Sequence, residues 1–153
     1  MIKSARKKFL GGFTLIELLI VIAILGILAA AVLVAINPGK RTRQAQDAKR
    51  KNDIGALATE IQGYYTTPGA GCYPATLQVL VNDGYLKQMP KDPVTDTEYT
   101  YSTVDPAPVD CATGGTDARL YADIAEPITA GSVWCYQTSD GKAEEQTAAT
   151  CTP

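Results

Sequence analysis

The chain has 153 residues, enough for one modest domain with an appendage and too few for two full domains. It contains four cysteines and no histidine, and its formal net charge is −2. Most nucleophile–base pairs are excluded without histidine, and neither a GxSxG motif nor a phosphate-binding glycine loop is present. We therefore expect a protein that is not an enzyme.

Residues 1–12 form a short basic leader that ends in Gly11-Gly12. An apolar run follows at 13–36, and its only polar side chains are Thr14 and Glu17. As a helix this run would be about 36 Å long, which is enough to cross a bilayer. An ionised carboxylate in hydrocarbon costs about 2.5–3.5 kcal/mol, so we expect Glu17 to be paired and functional.

Residues 37–65 are predicted to be a stalk followed by an amphipathic helix. Asn37-Pro38-Gly39 should kink or briefly unwind the helix, because Pro38 lacks a backbone donor and Gly39 is a weak helix former. Apolar residues then recur at spacings of three and four and predict a helix over 53–65. They are Ile54, Leu57, Ala58, Ile61, Tyr64 and Tyr65.

Residues 66–153 are predicted to form a globular head. A short helical patch surrounds Leu77, Leu80 and Val81, and β-type patterns occupy 98–103, 119–124 and 132–137. Segment 104–118 is predicted to be a long loop, and 138–153 is polar without a clear pattern. We predict an α+β fold in which helix 53–65 covers a small antiparallel sheet of three strands.

All four cysteines lie beyond the apolar run, and none of them forms a CxxC pair. This pattern favours two disulfides in an oxidising compartment over a zinc site. Three pairings are possible. We favour Cys135–Cys151, which closes a C-terminal loop, and this leaves Cys72–Cys111 by remainder.

The segment from Gly11 to Ile20 reads GGFTLIELLI and closely resembles the start of type IV pilins and pseudopilins. The resemblance implies that a prepilin peptidase cleaves after Gly12 and that the new N-terminus, Phe13, is methylated. It also implies that the Phe13 amine of one subunit pairs with Glu17 of its neighbour. This pair would fix the register of assembly in the helical filament.

A weaker resemblance to the same family continues into the head. Its segments are 73–77 (YPATL), 84–86 (GYL) and 89–93 (MPKDP), which are similar to the region after the long helix in major pseudopilins and many pilins. One departure concerns the helix break. The family often has a proline near the twenty-second mature residue, where this chain has Val34.

The resemblance implies a structural subunit of a type IV pilus-like filament, with adhesion, twitching motility or DNA uptake as its roles. A first alternative is the major pseudopilin of a type II secretion system, and a second is a membrane-tethered binding module. The expected partners are copies of the chain, the prepilin peptidase and methyltransferase, and the assembly machinery. The subunit would span the cytoplasmic membrane once, then enter a surface pilus or a periplasmic pseudopilus.

Two simpler interpretations of the apolar run compete with the pilin-like one. An ordinary secretory signal would be cut near Ala29-Ala30-Ala31, but the apolar run is longer than such signals and follows Gly12. A plain membrane anchor would have no use for Glu17.

The charges flanking the apolar run conflict with an exported head, because six basic residues follow the span and four precede it. The cysteines favour export nevertheless.

The basic stretch 40–51 contains six Lys and Arg residues and one acid, Asp47, whereas the head is acidic. Anionic lipid, nucleic acid and plain solvation would each fit it. Our hypothesis is that Arg41, Arg43, Arg50 and Lys51 face the acidic heads of neighbouring subunits. We expect no cofactor, although Asp105, Asp110 and Asp117 in the long loop could bind calcium if they are not simply solvated.

Overall fold

The computed structural model of the chain describes residues 12–104, 111 and 114–151. The chain divides into two compact units, Met1–Pro38 and Gly39–Pro153. The first contains the apolar helix, and the second contains the amphipathic helix and the head.

Helix α1 comprises Leu15–Ile36 and consists almost entirely of aliphatic residues. Its length is about 33 Å at 1.5 Å per residue, which matches the hydrocarbon core of a bilayer. None of its residues is buried. Within the part of the chain that the structure describes, α1 is the one helix long and apolar enough to cross a membrane.

Helix α2 comprises Pro38–Thr66 and begins immediately after Asn37. Its buried apolar residues are Ile54, Leu57, Ala58 and Ile61, and Tyr64 and Tyr65 pack against the same core. The apolar face predicted from the sequence is therefore confirmed. The helix itself starts at Pro38, well before residue 53, and includes the polar turns that precede Ile54.

The described part of the head contains two sheets and one short helix. Strands β1 (Tyr73–Pro74) and β3 (Gly114–Gly115) form an antiparallel pair, and α3 (Gln78–Asn82) follows β1. The larger sheet contains β2 (Thr100–Val104), β4 (Asp117–Asp123), β5 (Ser132–Gln137) and β6 (Lys142–Thr147). These four strands are antiparallel, in the order β2-β4-β5-β6.

The predicted number of three strands in the main sheet is wrong, because β6 was not foreseen. Its sequence is KAEEQT, which has no apolar alternation, and most of its residues are exposed. Such a sequence is compatible with the edge of a sheet, and among the described strands β6 pairs with β5 alone.

The two faces of the large sheet bury different groups because side chains alternate along each strand. Ala118, Leu120 and Ala122 of β4 join Ile54 and Leu57 of α2 in the main core. On the opposite face Val133 and Cys135 of β5 form a second cluster, together with Cys151 and the partly buried Tyr121. The sheet is thus covered by α2 on one side and by the C-terminal segment on the other.

Candidate functional site

The start of α1 is closed by a capping box between Thr14 and Glu17. The Glu17 N–H donates to Thr14 Oγ1 at 3.3 Å, while Glu17 Oε2 accepts from the Thr14 N–H at 2.8 Å and from Thr14 Oγ1 at 2.7 Å. These bonds satisfy backbone donors that a helix start leaves without a partner. In the single chain Glu17 therefore has hydrogen-bond donors of its own.

Gly12 and Phe13 precede this cap and are open to solvent. Phe13 is 84% exposed. A Cβ atom added to Gly12 would meet nothing within 4 Å. Among the described residues, therefore, no contact requires glycine at this position.

The break after α1 occurs at a single residue, Asn37. Asn37 has a left-handed backbone with φ 47° and ψ 74°, a conformation that asparagine tolerates better than most residues. Pro38 and Gly39, which were expected to interrupt the helix, instead form the first turn of α2. Proline suits that position because the first helical residue needs no N–H bond.

The two disulfides of the structure join the pairs favoured from the sequence. Cys72 is bonded to Cys111 and Cys135 to Cys151, with a Cα–Cα distance of 5.9 Å in each. The first ties the segment after α2 to the residues before β3. The second holds the C-terminal segment against β5, where the Arg119 guanidinium donates to the Cys151 carbonyl.

A charge cluster between α2 and the head was missed from the sequence. Arg50 is 6% exposed and binds two carboxylates. Its Nη1 donates to Asp47 Oδ1 at 2.8 Å, and its Nε and Nη2 donate to the two Asp92 oxygens at 2.6 and 3.2 Å. Asp47 also accepts from the N–H groups of Ala125 and Glu126 at 2.8 and 2.9 Å. The cluster therefore fastens α2 to two loops.

These contacts shift the titration of all three side chains. The Arg50 guanidinium, helped by the N–H groups of Thr95 and Val94, holds the pKa of Asp92 well below its usual value against the effect of burial. Burial would raise the pKa of Asp47, but the two loop N–H groups and Arg50 together lower it. The hydrogen bond to Asp92 raises the pKa of Arg50 above its usual, already high value.

The hypothesis that the basic stretch faces neighbouring heads needs correction. Arg50 is buried in its own chain, and Arg43 Nε pairs with Glu126 Oε1 at 2.6 Å. Lys51 Nζ lies 4.3 Å from the ring centroid of Trp134. The lone acid in the stretch, Asp47, was the signal that part of this charge is used inside the chain.

The calcium prediction is not tested by the structure. Asp105 and Asp110 lie outside the described residues. Asp117 Oδ1 accepts from Thr138 Oγ1 at 3.3 Å. Among the residues that the structure does describe, no group of three or more potential ligands is close enough to hold a metal ion.

Comparison with known proteins gives two concordant results. A family model described as the prokaryotic N-terminal methylation motif matches residues 11–33. Type II secretion system core protein G of Pseudomonas aeruginosa is 35% identical over 124 residues, which cover 71% of this chain and 84% of that protein. The protein of the same name from Vibrio cholerae is 33% identical over 132 residues, which cover 76% and 86%.

The similarity therefore extends well beyond the motif, into the amphipathic helix and the head. It agrees with the architecture of one apolar N-terminal helix followed by a small antiparallel sheet. The chain belongs to the type IV pilin-like family that includes the type II secretion system core protein G.

Proposed function

We propose that this pilin-like chain is the filament subunit, or pseudopilin, of a type II secretion system. The observation that carries the proposal is the similarity to core protein G, which covers 84% and 86% of two such proteins. The methylation motif alone would fit a pilus equally well. The expectation of a surface pilus thereby gives way to its first alternative, a periplasmic filament that serves secretion.

In this proposal α1 has two successive environments. Its apolar surface is exposed over the whole length of the helix, and water is the least favourable surrounding for it. Lipid covers that surface while the subunit spans the cytoplasmic membrane. Helices of neighbouring subunits cover it after the assembly machinery has extracted the subunit.

Cleavage after Gly12 by a prepilin peptidase creates a new amine on Phe13, which is then methylated and keeps its positive charge. Glu17 is the only charged residue of α1. A Phe13 ammonium of the next subunit would pair with Glu17 away from water, and removing either partner of such a pair is costly. Glu17 would thus set the axial position of each subunit.

The head has no chemical step in this function. We assign the head neither a catalytic residue nor a bound cofactor. Calcium binding by Asp105, Asp110 and Asp117 stays a prediction, and thermal unfolding with and without a chelator would test it.

The proposal is tested in a host that lacks its own copy of the gene. We expect the wild-type chain to restore export of secreted proteins to the medium, and mass spectrometry to find a mature chain that begins at methylated Phe13. The Glu17→Ala variant should be processed but should fail to restore export. The Glu144→Ala variant, which removes an exposed carboxylate on β6, serves as the control.

Three outcomes would contradict the proposal. A mature chain that begins after Ala31 would indicate an ordinary secretory signal. Restoration of twitching motility without restoration of export would indicate a pilus. Full activity of the Glu17→Ala variant would favour a tethered binding module that never polymerises.

A further inference from the structure

The loop between β4 and β5, residues 124–131, lies at the end of the head where α2 begins. Late in α2, Gln62 Nε2 donates to the Tyr136 hydroxyl at 2.5 Å, near the end of β5. Early in α2, the Asp47 carboxylate binds the N–H groups of Ala125 and Glu126, which precede β5. The early part of α2 therefore lies beside the loop that precedes β5, and the late part of α2 lies beside the end of β5.

The tip of the loop carries an aliphatic side chain that is almost fully exposed. Ile128 is 92% exposed, more than any other large apolar side chain among the described residues, including Leu15 of α1 at 89%. A single exposed aliphatic residue is common on protein surfaces. Its position and its surroundings are what distinguish Ile128.

The loop is fastened on both sides of Ile128. Before the tip, Glu126 pairs with Arg43 at 2.6 Å, and its N–H is bound by Asp47. After the tip, the Thr129 N–H donates to Glu145 Oε1 at 3.0 Å. The apolar tip is therefore held in place and does not fold back onto the head.

Exposed positive charge occupies the first turn of α2. Lys40 and Arg41 are both exposed. Two acids at the loop are already bound, Glu126 by Arg43 and Glu145 by the Thr129 N–H. Arg41 comes five residues after Ile36, the last residue of α1. Even a fully extended chain of five residues spans at most about 18 Å, so the two residues cannot lie farther apart than that. A membrane that holds α1 is within reach of this turn.

We propose that Ile128, together with Lys40 and Arg41, contacts the anionic phospholipid surface of the membrane that holds α1. Basic residues next to a span are attracted to anionic headgroups, and an aliphatic side chain gains by entering the boundary between headgroups and acyl chains. The contact positions the head on the bilayer before the subunit enters a filament. It rests on the membrane-anchored stage of the proposed function.

The test uses the full chain reconstituted in vesicles that contain phosphatidylglycerol with brominated acyl chains, which quench tryptophan on contact. Tryptophan is introduced by Ile128→Trp or, as the matched control, by Asp140→Trp in the exposed turn after β5, at the opposite end of that strand. Emission from the native Trp134 is subtracted with the wild-type chain. Flotation of the vesicles reports separately whether α1 is inserted.

We expect the Ile128→Trp chain to lose roughly half of the added emission, because an interfacial residue sits about 5–10 Å into the boundary, and the Asp140→Trp chain to lose little. Adding Lys40→Gln and Arg41→Gln, or raising the salt concentration, should lower the quenching at the tip severalfold.

Equal quenching at both positions in chains that float with the vesicles would overturn the proposal. So would quenching at the tip that is the same in neutral and anionic vesicles. If the tip is shielded from the quencher to an extent that depends on the density of subunits in the vesicle, the tip contacts a second copy instead. Failure of the chain to float would contradict the proposed function itself.

Discussion

Arg50 illustrates how a residue that looks like surface charge in the sequence becomes part of the interior. Its two carboxylate partners come from the same helix and from a loop 42 positions away. The Asp47 partner could be suspected from the i,i+3 spacing on a helix. The Asp92 partner could not, because only the folded chain brings this loop next to α2.

Replacing Arg50 should therefore destabilise the head strongly. In the Arg50→Met variant the buried Asp47 and the partly buried Asp92 lose their counter-charge, and we expect a loss of about 3–5 kcal/mol in the free energy of unfolding. The exposed Arg41→Met variant on the same helix should change it by less than about 0.5 kcal/mol. Urea unfolding in detergent, followed by Trp134 fluorescence, would measure both. Equal losses would show that the buried cluster has no special role.

The same cluster predicts sensitivity to acid. Asp92 and Asp47 have pKa values lower in the folded chain than in the unfolded chain. Their contribution to stability is then fully present above the unfolded value of about 3.9 and is lost as the pH falls through their folded values. Stability should decline below about pH 4, and less steeply in the Asp92→Asn variant. Parallel pH profiles of the two proteins, measured by urea unfolding, would contradict this assignment.

At the level of elements, the sequence predicted what depends on local pattern. The apolar faces of α1 and α2 and the bounds of β5 match the structure, because each follows from periodicity within one segment. Strand β6 was missed because its side chains mostly face solvent and carry no apolar signal. Strands β1 and β3 have two residues each, too few for any periodicity.

Two glycines should respond in opposite ways to the addition of a methyl group. A Cβ on Gly115 in β3 would lie 2.3 Å from the Val104 carbonyl oxygen, so backbone would have to move. A Cβ on Gly55 in α2 would meet nothing within 4 Å. Gly115→Ala should cost about 1–3 kcal/mol, and Gly55→Ala should add about 0.5–1 kcal/mol. Thermal unfolding of both variants would test this, and a shift of equal sign would contradict it.

At the scale of the whole molecule, the part of the site that the sequence predicted is the part that is contiguous. Gly12, Phe13 and Glu17 stand within one short motif, and their roles in cleavage, methylation and register stay predictions. The described loop contacts that underlie the membrane proposal join residues about 80 positions apart, such as Asp47 and Glu126. No local sequence pattern encodes such a contact, so it can be identified only from the folded structure.

The division into two units predicts that the head does not need α1 to fold. The second unit, Gly39–Pro153, contains the main core and both disulfides. A chain that begins at Gly39 should therefore be soluble without detergent, and its urea midpoint should match that of the full chain. A midpoint lowered by more than the experimental scatter would show that α1 contributes to the stability of the head.

Strand β6 would have a further consequence in the proposed filament, which holds copies of the chain together at high local concentration. An unpaired strand edge is a template for pairing with the next molecule, and identical heads side by side would offer many such edges. The β6 edge carries Glu144 and Glu145, and an approaching copy would bring the same two carboxylates, whose mutual repulsion disfavours pairing of the strands. We expect these charges to disfavour amyloid-like growth through this edge, which would leave the order of the proposed filament to its helices.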